Sequence, residues 1–263
     1  MRYAIAAGVL TASLMAGSAV NGQSAPVAPI PAAGATQAAE PARDPGGVRG
    51  FVRDVGGDYK QFFSWSTVKW LGVGGLAAAA IHPADEAIRD ATQDPDEVTI
   101  LSETAGEIYG DFSLQLPLAV TWWIVGHGAG SSRAAATGRD LVRAQINEVT
   151  WTNLIKYSVN RTRPNGGPRS FPSGHTSATF ATAMVLQEHY GWRVGVPFFA
   201  AAIYTGASRI VDNRHWASDV MFGAFLGMTS GRTVTVHLRR TPVSIAPVSI
   251  PGGGVAINFR MAG

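Results

Sequence analysis

The feature that most constrains this chain is a succession of apolar runs of helical length, several of them too short to cross a bilayer comfortably. Ser64 to Ile81, Ser113 to Val125, Thr137 to Asn160, Ser173 to His189, Val196 to Ser208 and Ala217 to Arg232 read as helices. Several are apolar on most faces yet only about a dozen to sixteen residues long, where a membrane span takes roughly 20. Gly or polar residues interrupt them, and no long alternating strand pattern crosses the region. The expected fold class is therefore all-α, a helical bundle. A globular bundle that touches a membrane fits these lengths, and a polytopic membrane arrangement is the alternative.

The two ends differ from this body. Arg2 precedes an apolar stretch from Ala4 to Met15, and small residues follow at Gly17, Ser18, Ala19, Ser24 and Ala25. This charged, apolar, then small order predicts a signal peptide over 1–25 and an exported protein, periplasmic or membrane-associated. Residues 26–53 are rich in Pro, Ala and Gly and read as a flexible linker. The helical domain is expected at 54–238. In the tail, 239–263, β-branched residues flank Pro251-Gly252-Gly253-Gly254, which predicts a short C-terminal β-hairpin.

Composition excludes several functions. The formal net charge is +3 and there is no Lys/Arg block, so nothing points to nucleic acid. Cysteine is absent, which removes disulfides, thiolate catalysis and Cys-ligated metals. An acidic stretch, Asp85, Glu86, Asp90, Asp94, Asp96 and Glu97, lacks recurring ligand spacing and reads as a solvated helix face and turn. His127, among glycines at a helix end, is assigned no role.

Three segments carry chemistry. In the first, Lys156 and Arg163 lie seven residues apart, on one face if helical, and Pro164 marks the exit from that helix. Two cations at a helix C-terminus also offset its dipole, and that plainer reading suits the segment alone. In the second, Ser173 is a good N-cap ahead of an apolar run, with Gly174 and His175 in the first turn. Such a start offers backbone N–H groups to an anion, and His175 would face it. In the third, Arg209 precedes His215 and Asp219, which are one turn apart if helical. The carboxylate there fixes an imidazole tautomer and frees the other nitrogen as a nucleophile. Alone, it is balanced against an ordinary surface pair.

Taken together, the segments fit phosphoryl transfer. Lys156, Arg163 and Arg209 supply cations for the equatorial oxygens without a metal. Ser173 and Gly174 supply neutral donors, and two histidines supply attack and leaving-group protonation.

The residues KYSVNRTRP, PSGH and SRIVDNRHWASD follow one known pattern in the right order. The chain thereby resembles the type 2 phosphatidic acid phosphatase family, with its bacterial class A acid phosphatases and vanadium haloperoxidases. The resemblance is tight over Lys156 to Asp219 and loose on either side. It implies a helical bundle with the site at one end, and a phosphatase needing no metal or cofactor. It implies that His215 is a nucleophile forming a phosphohistidine, that Asp219 orients it, and that His175 is the acid and then the base. It implies a phosphate-binding set of Lys156, Arg163, Ser173, Gly174 and Arg209. The expected substrate is a lipid phosphate or a small soluble monoester, with membrane contact in the lipid case. The alternatives are a vanadate-dependent haloperoxidase and a non-catalytic phosphate- or lipid-binding protein.

Overall fold

A computed structural model of the chain describes residues 47–92 and 105–239, together with the backbone of 243–249 and 255–261. The chain divides into two compact units, Asp44–Leu238 and the two termini outside it. The first unit holds all the chemistry-bearing segments, and its described elements are helices joined by loops. The expected signal peptide and most of the expected linker lie outside the described residues.

The helices are α1 (Gly47–Phe62), α2 (Trp65–Ile81), α3 (Asp85–Ala91), α4 (Glu107–Gly110), α5 (Phe112–Gly128), α6 (Ser132–Val159), α7 (Gly174–Tyr190), α8 (Trp192–Val211) and α9 (Ala217–Val234). Their starts follow from local chemistry. Ser64 caps α2 by accepting from the Thr67 N–H at 3.3 Å, and Asp111 caps α5 by accepting from the Ser113 N–H at 2.6 Å. Asn160, in a left-handed conformation with φ 46°, ends α6. The region 137–160, read from sequence as a helix with room for a break, is one continuous helix beginning at Ser132.

Residues 47–53, expected as the end of a linker, instead form the first turns of α1. Tertiary contacts hold them there. The Phe51 ring stacks on Trp123 with centroids 5.4 Å apart, and the Arg139 guanidinium lies 5.7 Å above the Phe51 ring. Further along α1, Asp54 pairs with Arg139 at 2.7 Å and Asp58 with Arg143 at 2.5 Å.

The main core joins α5, α6, α7 and α9 through Ala119, Leu141, Ala144, Val185, Leu186 and Val234. Helix α9 approaches α7 along a stripe of small residues. A Cβ at Gly227 would sit 2.1 Å from the Ser177 carbonyl oxygen, and one at Gly231 2.7 Å from that of Ala181. Gly223 meets the Ser173 carbonyl oxygen in the same way, at 2.7 Å. Only hydrogen fits at these positions, so two backbones come close enough to set Ser173 beside the start of α9. Because α6 to α9 alternate in direction, the ends of α6 and α8 and the starts of α7 and α9 meet at one end of the bundle. The candidate residues are at that end.

Candidate active site

Asp219, in the first turn of α9, is fully buried. One carboxylate oxygen, Oδ2, accepts from the Trp216 N–H at 2.9 Å and from the Ser170 hydroxyl. The Trp216 contact is the returning half of a capping box, so the carboxylate shapes its own helix start. The other oxygen, Oδ1, accepts from Arg161 Nη1 at 2.7 Å. Burial would raise the carboxyl pKa, but the His215 imidazole and the hydrogen bonds from Ser170 and Trp216 hold it below its usual value.

His215 sits in the turn between α8 and α9, its backbone N–H bonded to the Arg209 carbonyl at 3.0 Å. Its side chain is 3% exposed, with Nδ1 3.7 Å from Asp219 Oδ2. That is too long for a hydrogen bond, and Nδ1 makes none. The structure thus places the carboxylate beside the expected imidazole nitrogen without closing the contact. Burial first, with the Lys156 and Arg163 charges adding to it, pushes the imidazole pKa down to about 4 against the opposing pull of Asp219. His215 is therefore neutral at neutral pH, the form that carries a free lone pair.

His175 occupies the first turn of α7. A Cβ at Gly110 of α4 would meet its Cβ at 2.7 Å, so this glycine lets α4 lie directly on the histidine. Nε2 stands 3.9 Å from Asp111 Oδ2 and has no hydrogen-bond partner. Burial, then the Arg209 charge, pushes this pKa down to about 4, while Asp111 and Glu107 oppose the shift.

The cations surround this pair. Lys156, in the last turn of α6, donates to the Arg169 carbonyl at 2.9 Å, and burial followed by Arg163 lowers its pKa to about 8. Arg163 lies in the loop after α6, its Nε donating to the Pro168 carbonyl at 3.1 Å. Arg209, in the last turn of α8, is 2% exposed and donates to Asp212 at 2.5 Å. Gly174 lies against α6, where a Cβ would sit 3.8 Å from the Lys156 side chain.

Ser173 differs from expectation in its bonding. It occupies the N-cap position, but its side chain accepts from Thr176 Oγ1 at 2.9 Å rather than from the helix backbone. Its own N–H goes to the Asp219 carbonyl at 3.1 Å, so that donor is not directed at an anion. Tertiary packing of α9 on α7 takes it.

Other residues at this end have no signal in the sequence. Asp85, read as part of a solvated face, is 3% exposed. It accepts from the Ser218 N–H at 2.9 Å, the Ser218 hydroxyl at 2.6 Å and Arg161 Nη2 at 2.8 Å. Arg161 thus bridges Asp85 and Asp219. Below the site, the buried Glu148 accepts from Thr152 Oγ1 at 3.1 Å, two turns along α6 from Lys156. Among the described residues, no group of three or more His, Asp or Glu side chains is arranged to hold a metal ion.

Fold and site together define a class, a helical bundle that seats two histidines and a ring of cations at one end. Residues 140–241 match the PAP2 superfamily. A lipid A 1-phosphatase from Porphyromonas gingivalis is 48% identical over 83 residues, 30% of this chain and 19% of that protein. A lipid A 4'-phosphatase from Helicobacter pylori is 36% identical over 58 residues, 22% of this chain and 29% of that protein. The chain thus spans less than a third of the length of these two curated relatives. Among solved structures, a transmembrane PAP2-type phosphatidylglycerolphosphate phosphatase from Bacillus subtilis aligns with a TM-score of 0.52 and 26% identity. The alignment covers 66% of this chain and 96% of that one.

Proposed function

We propose that this protein is a membrane-associated phosphatase that hydrolyses the phosphate monoester of a lipid through a phosphohistidine on His215. One observation carries the reading: the buried His215 stands 3.7 Å from the Asp219 carboxylate, at the same end of the bundle where Lys156 packs against Gly174, the neighbour of His175. A phosphoryl group bound there would meet a nucleophile, a proton donor and positive charge together.

In this reading His215 attacks phosphorus through Nε2, since Nδ1 faces Asp219. The N–P bond forms as the P–O bond to the lipid breaks, and the leaving oxygen takes a proton from His175. Water then attacks the phosphohistidine, His175 accepts its proton, and the N–P bond breaks to release phosphate. Lys156, Arg163 and Arg209 neutralise the equatorial oxygens, with Gly174 giving close access. Ser173 fits as support for the α7 start. Asp219 holds the imidazolium that forms as phosphorus is attacked. Fixed cations perform the charge neutralisation that a metal would otherwise supply.

A lipid is favoured over a soluble monoester by the outer surface. Trp65, Val73 and Leu76 on α2, Ile124 and Val125 on α5, and Trp192, Val196 and Ile203 on α8 are all more than half exposed. Apolar side chains on three helices suit hydrocarbon better than water. Helix α8 is also long and apolar enough to cross a membrane. An apolar cavity of about 580 Å³, lined by Tyr109, Leu118, Trp122, Leu141, Leu186 and Phe198, adds room for an alkyl chain. Export under a signal at 1–25, a linker after it and a terminal hairpin complete the proposal.

The test is phosphate release from phosphatidic acid in detergent and from a small aryl phosphate, both in excess chelator, beside His215→Ala. Release that persists in chelator, favours the lipid and is lost in the variant supports the proposal. Equal activity of variant and parent would overturn the nucleophile assignment, and preference for the aryl phosphate would overturn the lipid.

A further inference from the structure

One carboxylate beside His175 has no part in the chemistry above. Asp111 Oδ2 stands 3.9 Å from His175 Nε2, and Nε2 is buried without a hydrogen-bond partner. Close packing brings the two together. A Cβ at Gly110 would lie 2.7 Å from His175 Cβ and 2.9 Å from its Cδ2, so the chain just ahead of Asp111 runs along that edge of the ring. A Cβ at Gly106 would meet Ser208 Oγ at 2.0 Å, so the same short segment also rests on the end of α8, beside Arg209. The covered edge of the imidazole is the one with Cδ2 and Nε2. The side chain is 27% exposed, which leaves the Nδ1 edge open to a substrate.

Asp111 is fixed in place independently of His175. Its Oδ1 accepts from the Ser113 N–H as the N-cap of α5. A line of side chains then ties this corner to the bundle. Gln145 Nε2 of α6 donates to Thr182 Oγ1 of α7 at 2.9 Å, and Thr182 Oγ1 donates to Gln115 Oε1 of α5 at 2.7 Å. Gln115 Nε2 donates to the Tyr109 carbonyl at 2.6 Å. Both glutamines are buried. Tyr109 and Gln115 bracket Asp111, so the carboxylate is strapped to the helices that carry Lys156 and His175.

The charged groups acting on His175 are Lys156 of α6, Arg209 of α8, Glu107 of α4 and Asp111. Burial and the two cations favour the neutral ring, and the two carboxylates oppose them, Asp111 more strongly. A ring held neutral is a poor proton donor, so a carboxylate at this position has work that the rest of the site does not perform.

We propose that Asp111 is the positioning residue of the proton donor: its carboxylate accepts the proton on His175 Nε2 and so directs the reactive proton of His175 to Nδ1. With Nε2–H committed to Asp111, the protonated ring carries its second proton on Nδ1. That proton goes to the leaving oxygen as the P–O bond breaks. The neutral ring then has its lone pair on Nδ1, which takes a proton from the water that attacks the phosphohistidine. The separation of 3.9 Å closes to a charge-assisted bond of about 2.8 Å by a turn of the half-exposed Asp111 side chain. Such bonds commonly tighten only when substrate is bound. The proposal rests on the phosphatase reading and names the residue that stands behind its proton donor.

The experiment uses the dependence on leaving group. The glycerol oxygen of phosphatidic acid needs a proton to leave, whereas p-nitrophenolate leaves without one. Both substrates are measured in the same detergent with the parent, Asp111→Ser, Asp111→Asn, His175→Ala and His215→Ala. Ser and Asn keep the cap of α5, Ser is too short to reach Nε2, and Asn reaches it without the charge. The readout is kcat/KM, which covers the steps up to departure of the leaving group. Each variant's loss on phosphatidic acid is divided by its loss on p-nitrophenyl phosphate, which cancels the fraction of folded enzyme. Asp111→Ser is expected to lose about tenfold more on phosphatidic acid than on the aryl ester, part of the usual contribution of acid catalysis. Asp111→Asn should recover some of that difference, and His175→Ala should show at least as large a one. Equal losses on the two substrates in Asp111→Ser, or no loss on either, overturn the positioning role while leaving the phosphatase reading intact. A His175→Ala variant without the difference removes the proton donor, and the proposal falls with it. Cleavage of neither substrate by the parent, or cleavage by His215→Ala equal to the parent's, overturns the phosphatase reading itself.

Discussion

Arg161 donates to Oδ1 of Asp219 at 2.7 Å from the loop after α6, a contact that spans 58 positions of sequence. The same guanidinium donates to Asp85 at 2.8 Å and lies 5.3 Å from the Trp216 ring. Asp219 therefore does not stand alone behind His215. It is one end of a carboxylate–guanidinium–carboxylate bridge that reaches α3.

Replacing Arg161 with Ala leaves a fully buried carboxylate without its cation. We expect a stability loss of about 3 kcal/mol, read as a lower denaturant midpoint. We also expect kcat to fall more than KM rises, because an unpaired Asp219 can protonate or turn away from His215. Arg161→Lys, which keeps the charge, should recover part of both. Full activity in Arg161→Ala would show that the bridge has no part in holding Asp219.

The pH profile of kcat/KM on a lipid phosphate should have two limbs. His215, with its pKa pushed down to about 4, is a free nucleophile above that pH and is protonated below it, so activity falls toward acid. Toward alkali activity falls twice, from about 4 as His175 loses the proton it gives to the leaving oxygen, and again from about 8 as Lys156 loses its charge. Lys156→Arg should move the alkaline limb upward, since guanidinium stays charged. An unmoved alkaline limb would assign it to another group.

Gly227→Ala should destabilise the bundle by about 1–3 kcal/mol, the usual cost of overpacking. The added carbon would stand 2.1 Å from the Ser177 carbonyl oxygen, so α7 and α9 must separate. Because α7 carries His175 and α9 carries Asp219, a loss of activity in folded protein should accompany the loss of stability. Gly56→Ala, where nothing lies within 4 Å, is the comparison and should stabilise α1 slightly.

At a distance from the candidate site, Arg143 joins Asp58 of α1 and Asp140 of α6 in a buried group. Arg143→Ala should cost about 3–5 kcal/mol by leaving the buried Asp58 carboxylate without its cation. Simultaneous replacement of Arg143, Asp58 and Asp140 by apolar residues of similar size should recover much of this. Measured by chemical denaturation, a triple variant no more stable than the single one would contradict the pairing.

The helices and the candidate residues were legible because their signals are local. Runs of helical length free of strand alternation mark α2 and α5 to α9, and Ser64 announces the start of α2. Lys156, Arg163, His175, Arg209, His215 and Asp219 stand out as polar groups at fixed spacings around those helices, and the structure gathers them at one end of the bundle. The bond from the Ser173 N–H to the Asp219 carbonyl was not legible, because its two ends lie 46 positions apart.

What the sequence by itself determined is which segments are helical and which polar side chains make up the candidate site, since both depend on near neighbours. What only the tertiary structure decided is how those groups are held. The α1 extension, the burial of Asp85, the Arg161 bridge, the glycine contacts of α9 and the approach of Asp111 to His175 join residues distant in sequence. Acidic residues such as Asp85 and Asp90 look alike along the chain. One is buried and the other exposed because a helix packs over one of them, and that depends on where the rest of the chain lies.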